Sequence, residues 1–393
     1  MNRHVRSGFL LLPLLLTACQ SQEVELAEPA LPEEVFYASL EMAADDDTKT
    51  YMDADAVTYW NADDCISIFA GTTQNRRFRF LGTDGERKGE FAAVDAADGS
   101  SAALTANYAA HPYQENTGIS EAGIISLTLP AEQSYRAGSF DPAAQLMVAW
   151  SESRQFAFRN LGCLLGFQLK GDAVAVRTIT LRGNADEVLA GRLLVSQEDG
   201  LSASFAEQGR SATLTLTAAT PVVLNADTPT RFWMVLPPMT FEQGFTLTVT
   251  DADGKVCVKK LSRSLTLVRN TAGSMAPITV VPVDTDAPTA FGIYPDYHKG
   301  GTPMAYDIAT MQKSVFEAEG MIYSRVLQPS TLQMYEIGPV PADVAVGDSV
   351  ELTLRLSVSG TPVSSQAYTA TVLSLSGGVL TLVSGDTYFI VRI

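Results

Sequence analysis

Ser211-Ala212-Thr213-Leu214-Thr215-Leu216-Thr217 alternates without a break, with Ala212, Leu214 and Leu216 on one face and hydroxyl residues on the other. A period of two belongs to a strand with one buried face; a helix would scatter these apolar residues around its axis. Phe245-Thr246-Leu247-Thr248-Val249 repeats the pattern, and the run Ser349 to Val358 extends it over Val350, Leu352, Leu354 and Leu356. Turn chemistry separates such runs: Thr83-Asp84-Gly85, Asp98-Gly99, Glu198-Asp199-Gly200, Ala252-Asp253-Gly254 and Gly377-Gly378. The fold class read outward from these stretches is mainly β.

Shorter apolar runs fill in the rest. Phe36 to Leu40, Cys65 to Phe69 and Arg77 to Phe80 are strands of a first unit, and Phe156 to Lys170, Arg177 to Leu181 and Gly191 to Leu194 are strands of a second. Ile125 to Pro130 and Trp233 to Pro237 both end in Leu-Pro, a loose internal echo in which Pro stops a strand because it cannot donate to a ladder. The stretch Pro282 to Pro288 reads as a linker. Beyond it, Ala305 to Gly320 is free of Pro and holds a short helix in this reading, before β alternation returns and the chain ends on the strand Tyr388 to Ile393. The predicted layout is two β-sandwiches in tandem, 36–153 and 154–283, followed by a small β-rich, barrel-like domain over 284–393.

The 393 residues carry 27 basic and 44 acidic side chains, a net charge of −17, with 46% hydrophobic content. That length and composition suit a globular chain of several units. That charge repels nucleic acid and anionic lipid. The first residues have another character. Arg3, His4 and Arg6 precede the apolar run Phe9 to Leu16, which ends at Leu16-Thr17-Ala18-Cys19. This is the layout of a secretory signal over residues 1–19. Its end resembles the lipobox of bacterial lipoproteins, which implies that Cys19 is acylated and becomes the first mature residue, held in outer-membrane lipid. Residues 20–35 are polar, acidic and Pro-bearing, a tether. With Cys19 used in this way, Cys65, Cys163 and Cys257 remain. No spacing suggests a disulfide framework, and they read as buried thiols in preference to one disulfide and a spare.

Catalytic chemistry finds little to work with. His4 is in the signal, His111 precedes Pro112 in an aromatic stretch, and His298 sits in a Gly-rich turn. No pair has metal-ligand spacing and no nucleophile sits in an elbow motif. Asp251-Ala252-Asp253-Gly254 opens like a calcium loop, but Val256, Val258 and Lys260 occupy the positions where ligands should follow, so it reads as a hairpin turn. No enzyme, cofactor or metal is expected. The aromatics Tyr59, Trp60, Tyr294, Tyr297 and Tyr323 are of the type that stack on sugars, and more often serve as core or turn residues.

Several segments in order resemble one family. Thr48-Lys49-Thr50 precedes Trp60 to Phe69; Tyr108-Ala109-Ala110-His111-Pro112-Tyr113 follows; then come Leu129-Pro130-Ala131-Glu132-Gln133, Leu146-Met147-Val148-Ala149 and Phe158 to Phe167. Together they are similar to the fimbrillin family of Bacteroidales over residues 36–283. The resemblance implies two transthyretin-like sandwiches and a cell-surface fimbrial subunit with other fimbrial subunits as partners. It also implies proteolytic trimming near Lys49, where the family commonly has Arg. Arg76 and Arg77 are alternative cut positions within a strand. In such a subunit, loss of a strand leaves unpaired backbone groups over an apolar floor, and a neighbour's terminal strand fills the gap. The expected departing strand contains Phe36 and Leu40; the expected donated strand contains Phe389, Val391 and Ile393. An added C-terminal domain suits a tip, anchor or accessory subunit better than a stalk. The alternative is a surface lipoprotein that never polymerises and binds a host glycan or protein.

Overall fold

In the computed structural model, residues 34–41, 58–94, 104–197, 200–284, 286–288, 290–304, 312–376 and 378–393 are described. The chain is mainly β, as the alternation predicts. The first sheet closes on itself. Around it run the strands Val35–Leu40, Gln155–Asn160, Met147–Ser151, Asn107–His111, Cys65–Ala70, Thr73–Phe80 and Lys88–Ala93. Its interior is aromatic: Phe36, Trp60, Phe78, Phe80, Phe91, Phe156 and Phe158 form one cluster. Phe78 and Phe80 point inward while Arg79 lies outside, as the Arg-Phe-Arg-Phe alternation requires. Arg76 and Arg77 are both within the Thr73–Phe80 strand.

Among the described residues, the second body packs three larger sheets and a two-stranded one, Met239–Phe241 with Leu265–Leu267. One joins Thr230–Leu236, Cys163–Lys170 and Ala272–Ser274, with Ile278–Thr279 also paired to the central strand. Another orders Val256–Leu261, Phe245–Asp251, Ala175–Gly183, Thr213–Val223 and Glu132–Ser134. The third contains Ser202–Phe205, Gly191–Ser196, Ile125–Leu129 and Gly118–Ile119. Leu214 and Leu216 are buried in this body's core, and Asp251 caps its hairpin by accepting from the Asp253 and Lys255 N–H groups.

The boundary expected between 153 and 154 is not where the ladders divide. Gln155–Asn160 completes the first barrel, paired with Val35–Leu40 and Met147–Ser151. Ile125–Leu129 and Glu132–Ser134, which precede that boundary, pair with strands of the second body. A shared core of Ala110, Val148, Ile125, Leu127, Trp233 and Val235 bonds the halves together. Chain order alone does not reveal this exchange, because a strand pairs with whichever edge lies open beside it. The two Leu-Pro echoes meet here. Gln133 Nε2 donates to the Val235 carbonyl at 2.8 Å, and its Oε1 accepts from the Val235 N–H at 2.9 Å. One buried amide thereby satisfies both backbone groups of Val235.

The C-terminal region is an open eight-stranded sheet in the order Gly292–Tyr294, Thr387–Arg392, Val379–Ser384, Thr361–Ser376, Ser349–Val358, Gln333–Pro341, Met321–Gln328 and Gln312–Ala318. It curls so that Lys313, on one edge strand, lies 5.8 Å from the ring centre of Phe291, beside the other edge strand. The helix expected over 305–320 is corrected for its second half: Gln312–Ala318 is a strand in a hairpin with Met321–Gln328, while 305–311 lie outside the described residues. Glu319 and Gly320 both take positive φ, 52° and 74°, which is the backbone of a two-residue hairpin turn. Glu-Gly is a weaker turn signal than Asn-Gly or Asp-Gly, and the hairpin therefore reads as a continuous polar run in the sequence.

Candidate strand-exchange site

Val35–Leu40 carries Phe36, Ala38 and Leu40 on its buried face, with Tyr37 and Ser39 turned away. Phe36 lies against Phe78, edge to face at 5.2 Å, and stacks on Phe156 at 5.3 Å, with the Arg154 guanidinium 5.7 Å from its ring centre. One edge of the strand is antiparallel to Lys88–Ala93 and the other is parallel to Gln155–Asn160. A strand held this way fits a slot: two walls of backbone groups and an aromatic floor.

Glu41 pins the exit of that strand. Its N–H donates to the Phe158 carbonyl, and Arg87 donates to its carbonyl. Its carboxylate accepts from Arg269 in two bonds, Nη1 to Oε2 at 2.6 Å and Nη2 to Oε1 at 2.8 Å, and from the Asn160 N–H at 3.1 Å. Burial alone pushes the Glu41 carboxyl up. The Arg269 hydrogen bonds and charge, with the Asn160 N–H, outweigh it and hold the group below the ordinary carboxylate range. Arg269 belongs to the second body, so the pin ties the first strand to a loop 228 positions away.

The other sequence-derived strand is placed differently. Phe389 and Val391 are buried in the core of the C-terminal sheet, and Ile393 is packed against it. Tyr388 and Ile390 are buried on the opposite face with Tyr294 and Val383. Thr387–Arg392 is bonded along both edges within its own chain, to Val379–Ser384 and Gly292–Tyr294. The turn before it is held by His298, whose Nδ1 is 2.7 Å from Asp386 Oδ1 and whose Nε2 is 3.2 Å from the Asp286 carbonyl. The structure uses this strand at home and shows no free donor here. Cys19 and Lys49 lie outside the described residues.

The remaining candidates separate cleanly. Cys65, Cys163 and Cys257 are free thiols, and burial pushes Cys163 up to about 12. His111 is buried edge-on to Trp60, with Nδ1 2.9 Å from the Gln145 carbonyl, a packing position. Trp60 and Tyr294 are core residues, Tyr297 packs on Tyr388, and Tyr323 stacks on Phe316. Tyr59 lines a cleft of about 470 Å³ with Asn61, Arg136, Ser139, Phe140 and Gln145. Among the described residues no group of three or more His, Cys, Asp or Glu is placed to hold a metal ion, and no helix is long and apolar enough to cross a membrane.

No protein-family profile matches the chain, and no curated protein matches it. Among solved structures, it is similar to a candidate cell adhesion protein from Bacteroides ovatus, at 15% identity over 62% of this chain and 91% of that one, with a TM-score of 0.39. A candidate cell adhesion protein from Bacteroides uniformis follows at 16% identity, 64% and 94% coverage and a TM-score of 0.36. A fimbrial protein from Bacteroides ovatus is similar at 12% identity, 71% and 55% coverage and a TM-score of 0.28.

Proposed function

We propose that this chain is a lipid-anchored fimbrial subunit of the cell surface, at a tip, anchor or accessory position, which assembles by strand exchange at the Val35–Leu40 slot and serves adhesion. The observation that carries the reading is the slot itself: one strand, the first of the described residues, with one face in an aromatic floor, both edges bonded and Lys49 on its C-terminal side. A cut after Lys49 detaches that strand together with Cys19, so one cleavage opens the slot and frees the body from lipid. An uncut chain stays sealed and tethered, as an anchor must. Peptide–sheet pairing of this kind draws affinity from main-chain bonds and specificity from alternate side chains in pockets. Scarce catalytic groups leave no reaction to assign, and the strong negative charge favours protein or glycan partners over nucleic acid.

Mapping mature N-termini by mass spectrometry tests it, paired with gels of surface material before and after boiling. The expected result is acylated Cys19 on uncut chains, Thr50 at the start of cut ones, and a heat-sensitive ladder containing the cut form. An unmodified N-terminus with one monomer band under all conditions overturns it.

The cleft beside Tyr59 favours a second reading, a binding module that never polymerises. It combines an aromatic face, a guanidinium and side-chain amides, the mixture that holds sugar rings and their hydroxyls. Binding to a panel of host glycans that Tyr59→Ala abolishes, with no ladder on gels, supports this reading against the first.

A further inference from the structure

The longest strand among the described residues is half uncovered. Thr361–Ser376 spans 16 residues, but Val379–Ser384 pairs only with its second part, Thr371 to Ser376. On the other side Thr361 to Thr371 pair with Ser349–Val358. Thr361 to Ala370 therefore presents an open edge, along which no backbone partner lies among the described residues. Thr361 to Ala367 are exposed without interruption, on both faces, as the hairpin runs past the core.

The direction of the free groups follows from the ladder. The Val372 N–H donates to the Asp348 carbonyl, toward the Ser349–Val358 side. Alternate residues of an antiparallel strand point their N–H and C=O to opposite sides, and the register shows no shift back to Ser364. Ser365, Ala367 and Thr369 consequently aim theirs outward. Edges of this kind pair with another strand unless short length, charge or bulges prevent it. Three other edges among the described residues carry such protections. Gln312–Ala318 has Lys313 and Glu317, Val256–Leu261 has Lys259 and Lys260, and Ser202–Phe205 has only 4 residues. Thr361–Ser376 has no charged residue at all.

From this we infer a self-association surface: the Thr361–Ala370 edge pairs antiparallel with the same edge of a second copy, joining two C-terminal sheets across a two-fold axis. The occupant is argued from charge and side-chain chemistry. Each copy carries −17, so copies meet most easily along a strip without carboxylates. A basic partner would be expected to face acidic residues; the edge strand itself carries none, and Glu351 on the paired strand already accepts from the Thr369 hydroxyl at 2.7 Å. Ser364, Ser365 and Gln366 side chains can both donate and accept hydrogen bonds, so the edge is complementary to itself. The inference goes beyond the proposed function and does not depend on release of the first strand.

Sedimentation velocity of the full chain in detergent, combined with hydrogen exchange at rising protein concentration, tests it. The expected result is a monomer–dimer equilibrium with amides of 361–370 slowing as concentration rises. Ala367→Pro removes only an outward N–H, so it should keep the fold and weaken dimerisation by about tenfold or more. Ser365→Lys places like charges on the paired edges and should do the same while leaving every backbone donor in place; it carries the test if the Pro variant misfolds. A single monomer mass at all concentrations overturns the proposal. So does a dimer that both folded variants preserve, or concentration-dependent protection confined to other strands.

Discussion

The first and last strands of the body are both bonded along two edges, yet they are buried in different ways. Val35–Leu40 alternates, with Phe36, Ala38 and Leu40 inside and Tyr37 half exposed to water. Thr387–Arg392 is buried on both faces from Tyr388 to Val391, each face in its own cluster. A strand with one wet face gives up fewer apolar contacts on leaving than one buried on both faces. A strand wedged between two cores has no replacement. The head strand is thus the one whose release costs less burial, and the tail strand the one wedged in place.

Paired truncations give the largest expected effect. Deleting 387–393 removes four large buried side chains from two cores and splits the eight-stranded sheet, leaving Gly292–Tyr294 without its ladder partner. The C-terminal sheet should unfold, seen as rapid proteolysis after residue 284. Cutting after Lys49 should leave that sheet intact and loosen only the barrel. A synthetic Val35 to Leu40 peptide should then restore the cut barrel's thermal transition, whereas a Thr387 to Ile393 peptide should not rescue the deletion. Rescue of both, or of neither, breaks the contrast.

Single substitutions sharpen it. Phe36→Ala and Phe389→Ala each remove a fully buried ring, which costs about 3–5 kcal/mol in well-packed cores. Denaturant unfolding followed by hydrogen exchange should place the first loss in the barrel and the second in the C-terminal sheet. Transfer of either loss to the other region shows that the two do not behave as separate units.

The pin on the first strand is weaker and depends on acid. Glu41 has a folded pKa below its ordinary value of 4.5, so its contribution is present above pH 4.5 and is lost as pH falls through the folded value. Glu41→Gln keeps one acceptor and loses the charge pairing with Arg269; a loss of about 1–2 kcal/mol is expected at neutral pH, vanishing in acid. Measured stability from pH 7 to pH 3 for both proteins checks it. A constant difference across that range means that the charge is not what holds the strand's exit.

Much of this contrast was legible in residues, and some was not. Thr213 to Thr217 and Phe245 to Val249 announce themselves because each has one face in water. Thr230–Leu236 is buried from Phe232 onward, so alternation says little and only the terminal Pro237 marks it. Phe36 stands out as the centre of a short apolar run, but nothing near Glu41 points to Arg269, since the partner comes from a distant loop. Lys313 to Ala318 has no strict period and its turn is Glu-Gly, so helix and strand compete in the sequence and pairing with Met321–Gln328 decides. The exchange of strands across 153 and 154 leaves no local trace either, because both segments read equally well as strands of either body. Likewise, Tyr368 to Leu375 reads as a strand, while its uncovered extension to Thr361 depends on where the neighbouring strand stops.

The smallest effect lies at the turn into the last strand, and its sign is opposite. His298 faces the carboxylates of Asp386 and Asp284 and the Asp286 carbonyl, with Lys299, Tyr297 and Tyr388 around it. Burial lowers its pKa, but the Asp386 hydrogen bond and the two negative charges outweigh that and raise it above 6.5. Both ring nitrogens meet acceptors, which suits the doubly protonated ring. Its contribution is therefore complete below pH 6.5 and fades as pH rises through the raised folded value. The partly exposed setting limits it to about 0.2–1 kcal/mol. His298→Gln should lower the stability of the C-terminal sheet at pH 6 and have little effect at pH 9, read from hydrogen exchange of Thr387–Arg392. Mild acidification from neutral pH to pH 5.5 should then tighten the tail while Glu41 still holds the head. Loosening of the tail over that interval would show that the neutral ring, bonded through one nitrogen, is the form the fold selects.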